Sequence, residues 1–365
     1  MRIAVNCRSI LLNHQTGIGR YTYHLLDSLG KIDAANTYIL HAPKPLFSFK
    51  RQLPDFSKYK NLKPYNDYFK AGVGACDVYH FPCPDLIGAP KGKCVVTIHD
   101  LIYKTYPQGH TPQAIEQTDT HMKEIVLKAD RIICVSENTR RDLHSSFKIS
   151  PEKTTVVYNG VDHHLFYPFS KDERIKAASQ LAELGVKAPF ILYVGTIEPR
   201  KNLQGLLESF AALKERNIFQ GQLVVVGMKG WMVENTASLI KQLGIEEDVI
   251  FLGFINDAHL CQLYNMTEVF VFPSFYEGFG FPILEAFACG AAVVTSNTSS
   301  CAEIASSTAL TVDPKDIQAM SGAIEKVLKD KEFKASLQQA GIKRAREFSF
   351  EKMAQATLNV YQGLL

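Results

Sequence analysis

Short runs of strand composition alternate with helical periodicity along this chain, and the alternation runs twice. Strand-like segments of the first series lie near 2–6, 37–41, 76–80, 93–98 and 131–135, with helical patterns near 18–30, 112–129 and 137–147. The second series opens at Phe190-Ile191-Leu192-Tyr193-Val194. It continues with strands from Gln222 to Val226, Val249 to Leu252, Glu268 to Phe272, Ala291 to Thr295 and near 309–312. Its helices fall near 202–217, 233–243, 257–266, 281–289 and 315–329. Apolar strands separated by helices imply parallel sheets wrapped by helices. Two α/β halves put a cleft between them, and ligands of open parallel sheets bind beyond the carboxyl ends of the strands. The expected domains are 1–165 and 189–348, joined by a linker at 166–188 that holds some helix. A last helix at 349–365 starts on Ser349, with Phe348 and Met353 placed as a hydrophobic staple. Phe350, Met353, Thr357, Tyr361 and Leu364 give it an apolar face, expected to pack back on the first half.

With 46% hydrophobic and 21% charged residues the chain is globular, which excludes disorder. Its apolar runs fall far short of the roughly 20 residues of a membrane helix. Arg2-Ile3-Ala4-Val5 opens directly as a strand with no signal segment, so the expected location is the cytoplasm. The eight cysteines form no C-x-x-C pair, and Cys94, Cys134 and Cys289 lie in apolar runs; reduced, structural thiols and no zinc site are expected. Net charge is uneven, about +6 over 1–165 and −3 over the remainder. Much of the excess lies at 44–70. There Lys44, Lys50, Arg51, Lys58, Lys60, Lys63 and Lys70 are interleaved with Phe47, Phe49, Phe56, Tyr59, Tyr65, Tyr68 and Phe69. That mixture suits either an anionic membrane surface or lipid-phosphate acceptor, or a solvated irregular surface. No nucleic-acid partner is expected.

The segment Phe272 to Glu285 has the pattern of a site. An apolar strand ends at Pro273-Ser274, Gly278 and Gly280 let the backbone approach a ligand, and Pro282 suits the first turn of a helix. The helix start offers unpaired N–H groups to an oxygen or an anion. Glu277 lies in the loop and Glu285 about two turns into the helix. An ordinary helix start with one exposed and one paired Glu competes with that reading.

Three further stretches follow strands. Gly17-Ile18-Gly19-Arg20-Tyr21 opens a helix where a phosphate could sit, although Thr22 stands where the dinucleotide fingerprint has its third glycine. His99-Asp100 follows Cys94-Val95-Val96-Thr97-Ile98, at the edge where active sites collect. A neutral imidazole there can donate to a hydroxyl or accept a proton, or be a structural group held by Asp100 or the backbone. Gly195-Thr196-Ile197-Glu198-Pro199-Arg200-Lys201-Asn202 puts two cations at a helix start, Arg200 as a fork and Lys201 as a point charge, suited to a diphosphate.

Together these segments resemble the retaining glycosyltransferases of family 4, which have the GT-B fold: two Rossmann-like α/β domains facing each other across a cleft. The resemblance covers nearly the whole chain. It rests on G-T-x-E-P-R-K-N at 195–202 and E-G-F-G-F-P-x-x-E at 277–285, with T-G-I-G-R-Y, I-H-D, V-S-E-N-T-R and Y-N-G-V-D in order before them. It implies that Glu277 contacts the transferred sugar and Glu285 the donor ribose, and that Lys201 with Arg200 binds the diphosphate. It also implies that the Gly17–Gly19 loop lies against the phosphates, that His99 touches a sugar hydroxyl, and that amides around Gly278, Phe279 and Gly280 hold sugar hydroxyls. Phe251 to Phe254 would line the base pocket. Many members have Arg where this chain has Thr196, which shifts phosphate binding onto Arg200 and Lys201.

The activity so implied is transfer of a hexose from a nucleotide diphosphate sugar to a growing, lipid-linked polysaccharide at the inner face of a bacterial membrane. GDP-mannose is the first expected donor, because T-G-I-G-R-Y with I-H-D-L is similar to mannosyl- and rhamnosyltransferases of O-antigen assembly. No cofactor or metal is expected, as Arg200 and Lys201 can replace a divalent ion. A glycosidase using Glu277 and Glu285 as acid and nucleophile is an alternative, but leaves the Arg-Lys pair and the glycine loops without a role. A silent GT-B subunit that binds a glycan or partner is the other.

Overall fold

The structure is a computed structural model and describes residues 1–11, 17–43, 53–67, 73–84, 91–228 and 234–365. Their strands are β1 (Arg2–Asn6), β2 (Thr37–Pro43), β3 (Leu62–Asp67), β4 (Val78–Phe81), β5 (Lys93–Ile98), β6 (Arg131–Cys134) and β7 (Thr154–Val156) in a first sheet. A second holds β8 (Phe190–Val194), β9 (Gln222–Val226), β10 (Val249–Gly253), β11 (Val269–Phe272), β12 (Val293–Ser296) and β13 (Leu310–Val312). The helices of the first half are α1 (Gly17–Ile32), α2 (Ile102–Thr105), α3 (Pro112–Lys128) and α4 (Glu137–Phe147). Then come α5 (Lys171–Glu183), α6 (Leu203–Glu215), α7 (Glu234–Leu243), α8 (Asp257–Met266), α9 (Phe281–Ala288), α10 (Ser299–Ala305), α11 (Ile317–Lys329), α12 (Lys331–Ala345) and α13 (Phe350–Gln362).

Every strand pair is parallel. The orders are β3-β2-β1-β4-β5-β6-β7 and β10-β9-β8-β11-β12-β13. Central strands are buried along their whole length, as Phe190 to Val194 and Val269 to Phe272 are, because helices cover both faces. One face of the second sheet packs Ile191, Tyr193, Val225 and Val271 against Leu206, Phe210 and Ile324 of α6 and α11.

Two compact units result: Met1–Gly160 with Ser349–Leu365, and Val161–Phe348. Residues 166–188, read above as linker, lie within the second unit. A capping box between Ser170 and Glu173 starts α5, and Arg174 and the Phe169 amide bond to Asn265 of α8. Helix α13 packs on α1 in the first unit, with Phe350, Met353, Thr357 and Tyr361 buried. The alternation did not reveal β3, β7, α2, α10 or α12. The first two are edge strands, β7 only three residues long, and α12 has almost no one-sided apolar pattern.

The basic and aromatic region needs correction. Residues 44–52 and 68–72, which include Lys44, Phe47, Phe49, Lys50, Arg51, Tyr68, Phe69 and Lys70, lie outside the described residues. Of the others, Phe56 is buried against Tyr23, and Tyr59 donates to Asp27 while Lys58 pairs with the same carboxylate. Phe56 and Tyr59 thus face their own fold, Phe56 through its apolar ring and Tyr59 through Asp27, while Lys58, although paired with Asp27, stays exposed with Lys60, Lys63 and Tyr65. Among the described residues no disulfide joins any of the eight cysteines. Among the described residues no helix is long and apolar enough to cross a membrane.

Candidate active site

In the second sheet the chain leaves β8 toward β9 and β10 on one side and returns to β11, β12 and β13 on the other. The carboxyl ends of β8 and β11 therefore flank the topological switch point, where such sheets bind ligands. The two most distinctive sequence segments follow these two strands. Pro199–Lys201 form a tight 3-10 turn after β8, and Asn202, in the left-handed region at φ 54°, caps α6 through Gly205 N. Asn202 also donates to Pro314 O at 2.7 Å, so a buried amide anchors the turn that presents both cations.

Glu277 is brought to these cations by the loop after β11, and the pieces interlock. Lys201 Nζ lies 2.5 Å from Glu277 Oε1 and Arg200 Nη1 2.9 Å from Oε2. Arg200 also donates to Tyr276 O at 2.8 Å and to Glu198, while its own carbonyl accepts from Phe275 N. Burial pushes the Glu277 carboxyl up, but Lys201 and Arg200 outweigh it and hold the group below its ordinary value. Glu277 is thus an ionised carboxylate only 8% exposed. The sequence reading assigned separate ligand contacts to the two cations and to Glu277. In the structure they form one ion-paired cluster, since buried charges find each other.

A row of hydroxyls that sequence reasoning missed holds this loop. Thr295, Ser296, Thr298 and Ser300 donate to the carbonyls of Phe272, Ser274, Phe275 and Glu277, and Ser299 Oγ accepts from Glu277 N. The only local signal was the polar run Thr295 to Ser300 after an apolar strand. Gly280, at φ 103°, starts α9 in a conformation that favours glycine, and Pro282 follows in the first turn. Gly278, Phe279 and Gly280 are buried, with the Phe279 ring packed edge-on against Phe281 and Phe348. Glu285 sits one turn into α9 rather than two, 2% exposed, and accepts from the Tyr264 hydroxyl of α8 at 3.1 Å. Thr196 is exposed after β8. Phe254, 68% exposed, follows a bulge at the end of β10.

The remaining predicted residues belong to the first unit. Its switch point lies between β1 and β4, and α1 opens at Gly17 after β1. A Cβ on Gly17 meets nothing within 4 Å among the described residues, so packing does not explain that glycine. Gly19 is buried. His99, beyond β5, has Nε2 2.7 Å from the Pro82 carbonyl, which makes it the donor there. The neutral ring then offers Nδ1 only as an acceptor. Burial lowers the His99 pKa against the opposing pull of Pro82 and Asp100. The backbone-held alternative is thus part of its environment, and Asp100 instead accepts from Ile102 N. Among the described residues no group of three or more His, Cys, Asp or Glu is arranged to hold a metal.

The model of Glycosyltransferase Family 4 matches residues 16–165 and that of Glycosyl transferases group 1 matches residues 173–344. The chain is 30% identical to O-antigen chain mannosyltransferase B of Escherichia coli over 375 residues, covering 96% of each. Among solved structures it is similar to sucrose-phosphate synthase from Thermosynechococcus elongatus. That match has TM-score 0.80 and 22% identity, over 100% of this chain and 98% of the other. It is also similar to Anabaena HepE in complex with UDP and glucose, at TM-score 0.76 and 17% identity over 100% of both chains. The shared architecture is GT-B.

Proposed function

Because the chain belongs to glycosyltransferase family 4, and is a glycosyltransferase on that ground, we infer that it transfers mannose from GDP-mannose, with retention, to a lipid-linked polysaccharide. The observation that carries the site assignment is the Glu277 carboxylate held by Lys201 and Arg200 beside the switch point of the second sheet. Mannose is favoured by the O-antigen mannosyltransferase relative. GDP remains the inference of the motif resemblance, and the UDP complex of HepE makes UDP the competitor to test.

In this reading the bond between the sugar C1 and the diphosphate oxygen breaks, and negative charge grows on the departing nucleoside diphosphate. Lys201 meets that charge where it develops, helped by amides at Gly278, Phe279 and Gly280. Arg200, tied to Glu198 and Tyr276 O, orients the loop as well as adding charge. Glu277 positions the sugar and balances the cations, with no covalent role. The acceptor hydroxyl attacks from the same face and passes its proton to the leaving phosphate. Glu285, fixed by Tyr264, faces the ribose, and Thr196 and Phe254 lie toward the phosphates and base. Gly17 and Gly19 admit the phosphates closely, and His99 accepts from a sugar hydroxyl through Nδ1. The two cations supply the charge that a divalent ion supplies elsewhere, so transfer is expected to persist in EDTA. Lys58, Lys60, Lys63 and Tyr65 supply the described part of the proposed membrane-facing surface.

Thermal stabilisation by GDP, UDP and dTDP, followed by transfer assays with the matching sugars, tests this. Selective stabilisation by GDP is expected, with transfer from GDP-mannose reduced about 100-fold in Lys201→Ala. Near wild-type transfer by both Lys201→Ala and Glu277→Ala refutes the site, and sugar hydrolysis without nucleotide favours a glycosidase.

A further inference from the structure

One buried group beside the ion cluster has no role so far. Tyr193 lies in β8, two residues before Gly195, in a strand that is apolar apart from its hydroxyl. It is 0% exposed, and its Oη has no hydrogen-bond partner among the described residues. Its ring belongs to the core shared by Ile191, Leu206, Phe210 and Val225, where phenylalanine would fill the same volume. A buried hydroxyl without a partner costs free energy that folding does not recover.

The location of that hydroxyl is informative. The point where a side chain would begin on Gly195 lies 3.4 Å from Tyr193 Oη and 3.6 Å from Lys201 Cδ, so the hydroxyl and the Lys201 stem flank one spot. Lys201 Nζ in turn holds Glu277. Burial raises the Tyr193 pKa, and the charges of Glu277 and Glu198 raise it further while Arg200 opposes them. The proton therefore stays on oxygen, and the group is available as a donor.

We propose that Tyr193 is a positioning residue for the donor-bound state: its unpartnered hydroxyl donates to the Glu277 carboxylate when a nucleotide diphosphate draws Lys201 away. This rests on the diphosphate reading of Lys201 given above. In the free protein both Glu277 oxygens are taken up by cations, and the Tyr193 proton has no acceptor. In the complex the carboxylate that faces the sugar loses a partner in a buried setting. A hydroxyl already in place then keeps it ionised and oriented, without adding positive charge that would compete with the diphosphate.

Tyr193→Phe tests this with two readouts. Without nucleotide, its melting temperature is expected to equal or exceed that of wild type, because the substitution removes only an unpartnered polar atom. With the nucleotide sugar that wild type uses, tried first as GDP-mannose and then as UDP- and dTDP-sugars, kcat/KM is expected to fall about tenfold. The acid limb of kcat, which reports the donor complex, is expected to move up by about one pH unit as Glu277 becomes easier to protonate. A clearly lower melting temperature without nucleotide overturns the proposal, since the hydroxyl then has a partner such as a fixed water in the free state. Unchanged kinetics and pH profile overturn it while leaving the diphosphate reading intact. Failure of wild type to use any nucleotide sugar removes both.

Discussion

At the scale of single residues, two glycines separate folding from ligand approach. Gly227 has φ 145°, and a Cβ there would stand 2.0 Å from the carbonyl oxygen of Gly195, whose loop carries Thr196 to Lys201. Gly227→Ala is expected to cost on the order of 3 kcal/mol in urea unfolding and to displace that loop, lowering transfer as well. Gly17→Ala meets no described neighbour. Its melting temperature is expected to match wild type, while the donor KM rises severalfold if the backbone approaches a phosphate; an unchanged KM would remove Gly17 from the site. Both glycines are visible in the sequence, but only the backbone angle and the missing space distinguish a folding requirement from a ligand requirement.

At the scale of elements, α13 is tied into the first unit by a buried chain of hydrogen bonds. Tyr361 Oη lies 2.6 Å from His80 Nδ1, His80 Nε2 lies 2.9 Å from Thr97 Oγ1, and Thr97 Oγ1 lies 3.0 Å from Tyr21 Oη. These bonds link α13 to β4, β5 and α1 and fix the registration of the last helix. Tyr361→Phe leaves a buried ring nitrogen without that partner, and a loss of about 2 kcal/mol is expected in denaturant titration. The apolar face of α13 was legible from its spacing. The polar tie was not, because nothing local marks Tyr361 and His80, 281 residues apart, as neighbours.

At the scale of the whole molecule, the two units should respond differently to mild acid. Burial lowers the His80 pKa from 6.5 to about 3, and His99 in the same unit is lowered too. The unfolded chain then takes up a proton below pH 6.5 that the folded unit refuses, so stability is full above that pH and falls toward pH 3. The slope is at most about 1.4 kcal/mol per pH unit for each histidine. In the second unit the lowered Glu277 pKa contributes stability above about pH 4.5, lost as pH falls further. Calorimetry from pH 7 to pH 5 is expected to shift a first-unit transition downward while a second-unit transition holds. His80→Gln should flatten the shift, and equal movement of both transitions would contradict it.

What the sequence determined alone was the alternation of buried strands with helices, hence two parallel sheets, and the order of the motifs, hence the family. The alternation follows from local composition and spacing, and the ordered motifs carry the resemblance to the family. It also placed Glu277, Arg200 and Lys201 after strands of one domain. Only the tertiary structure decided that 161–188 joins the second unit and that Phe56 and Tyr59 turn inward to Tyr23 and Asp27. It also decided that the three charges form one cluster stapled by Thr295 to Ser300. The reason is that strand order, which brings β8 beside β11 across the 74 residues between them, sets which loops share an edge, and no local pattern carries strand order.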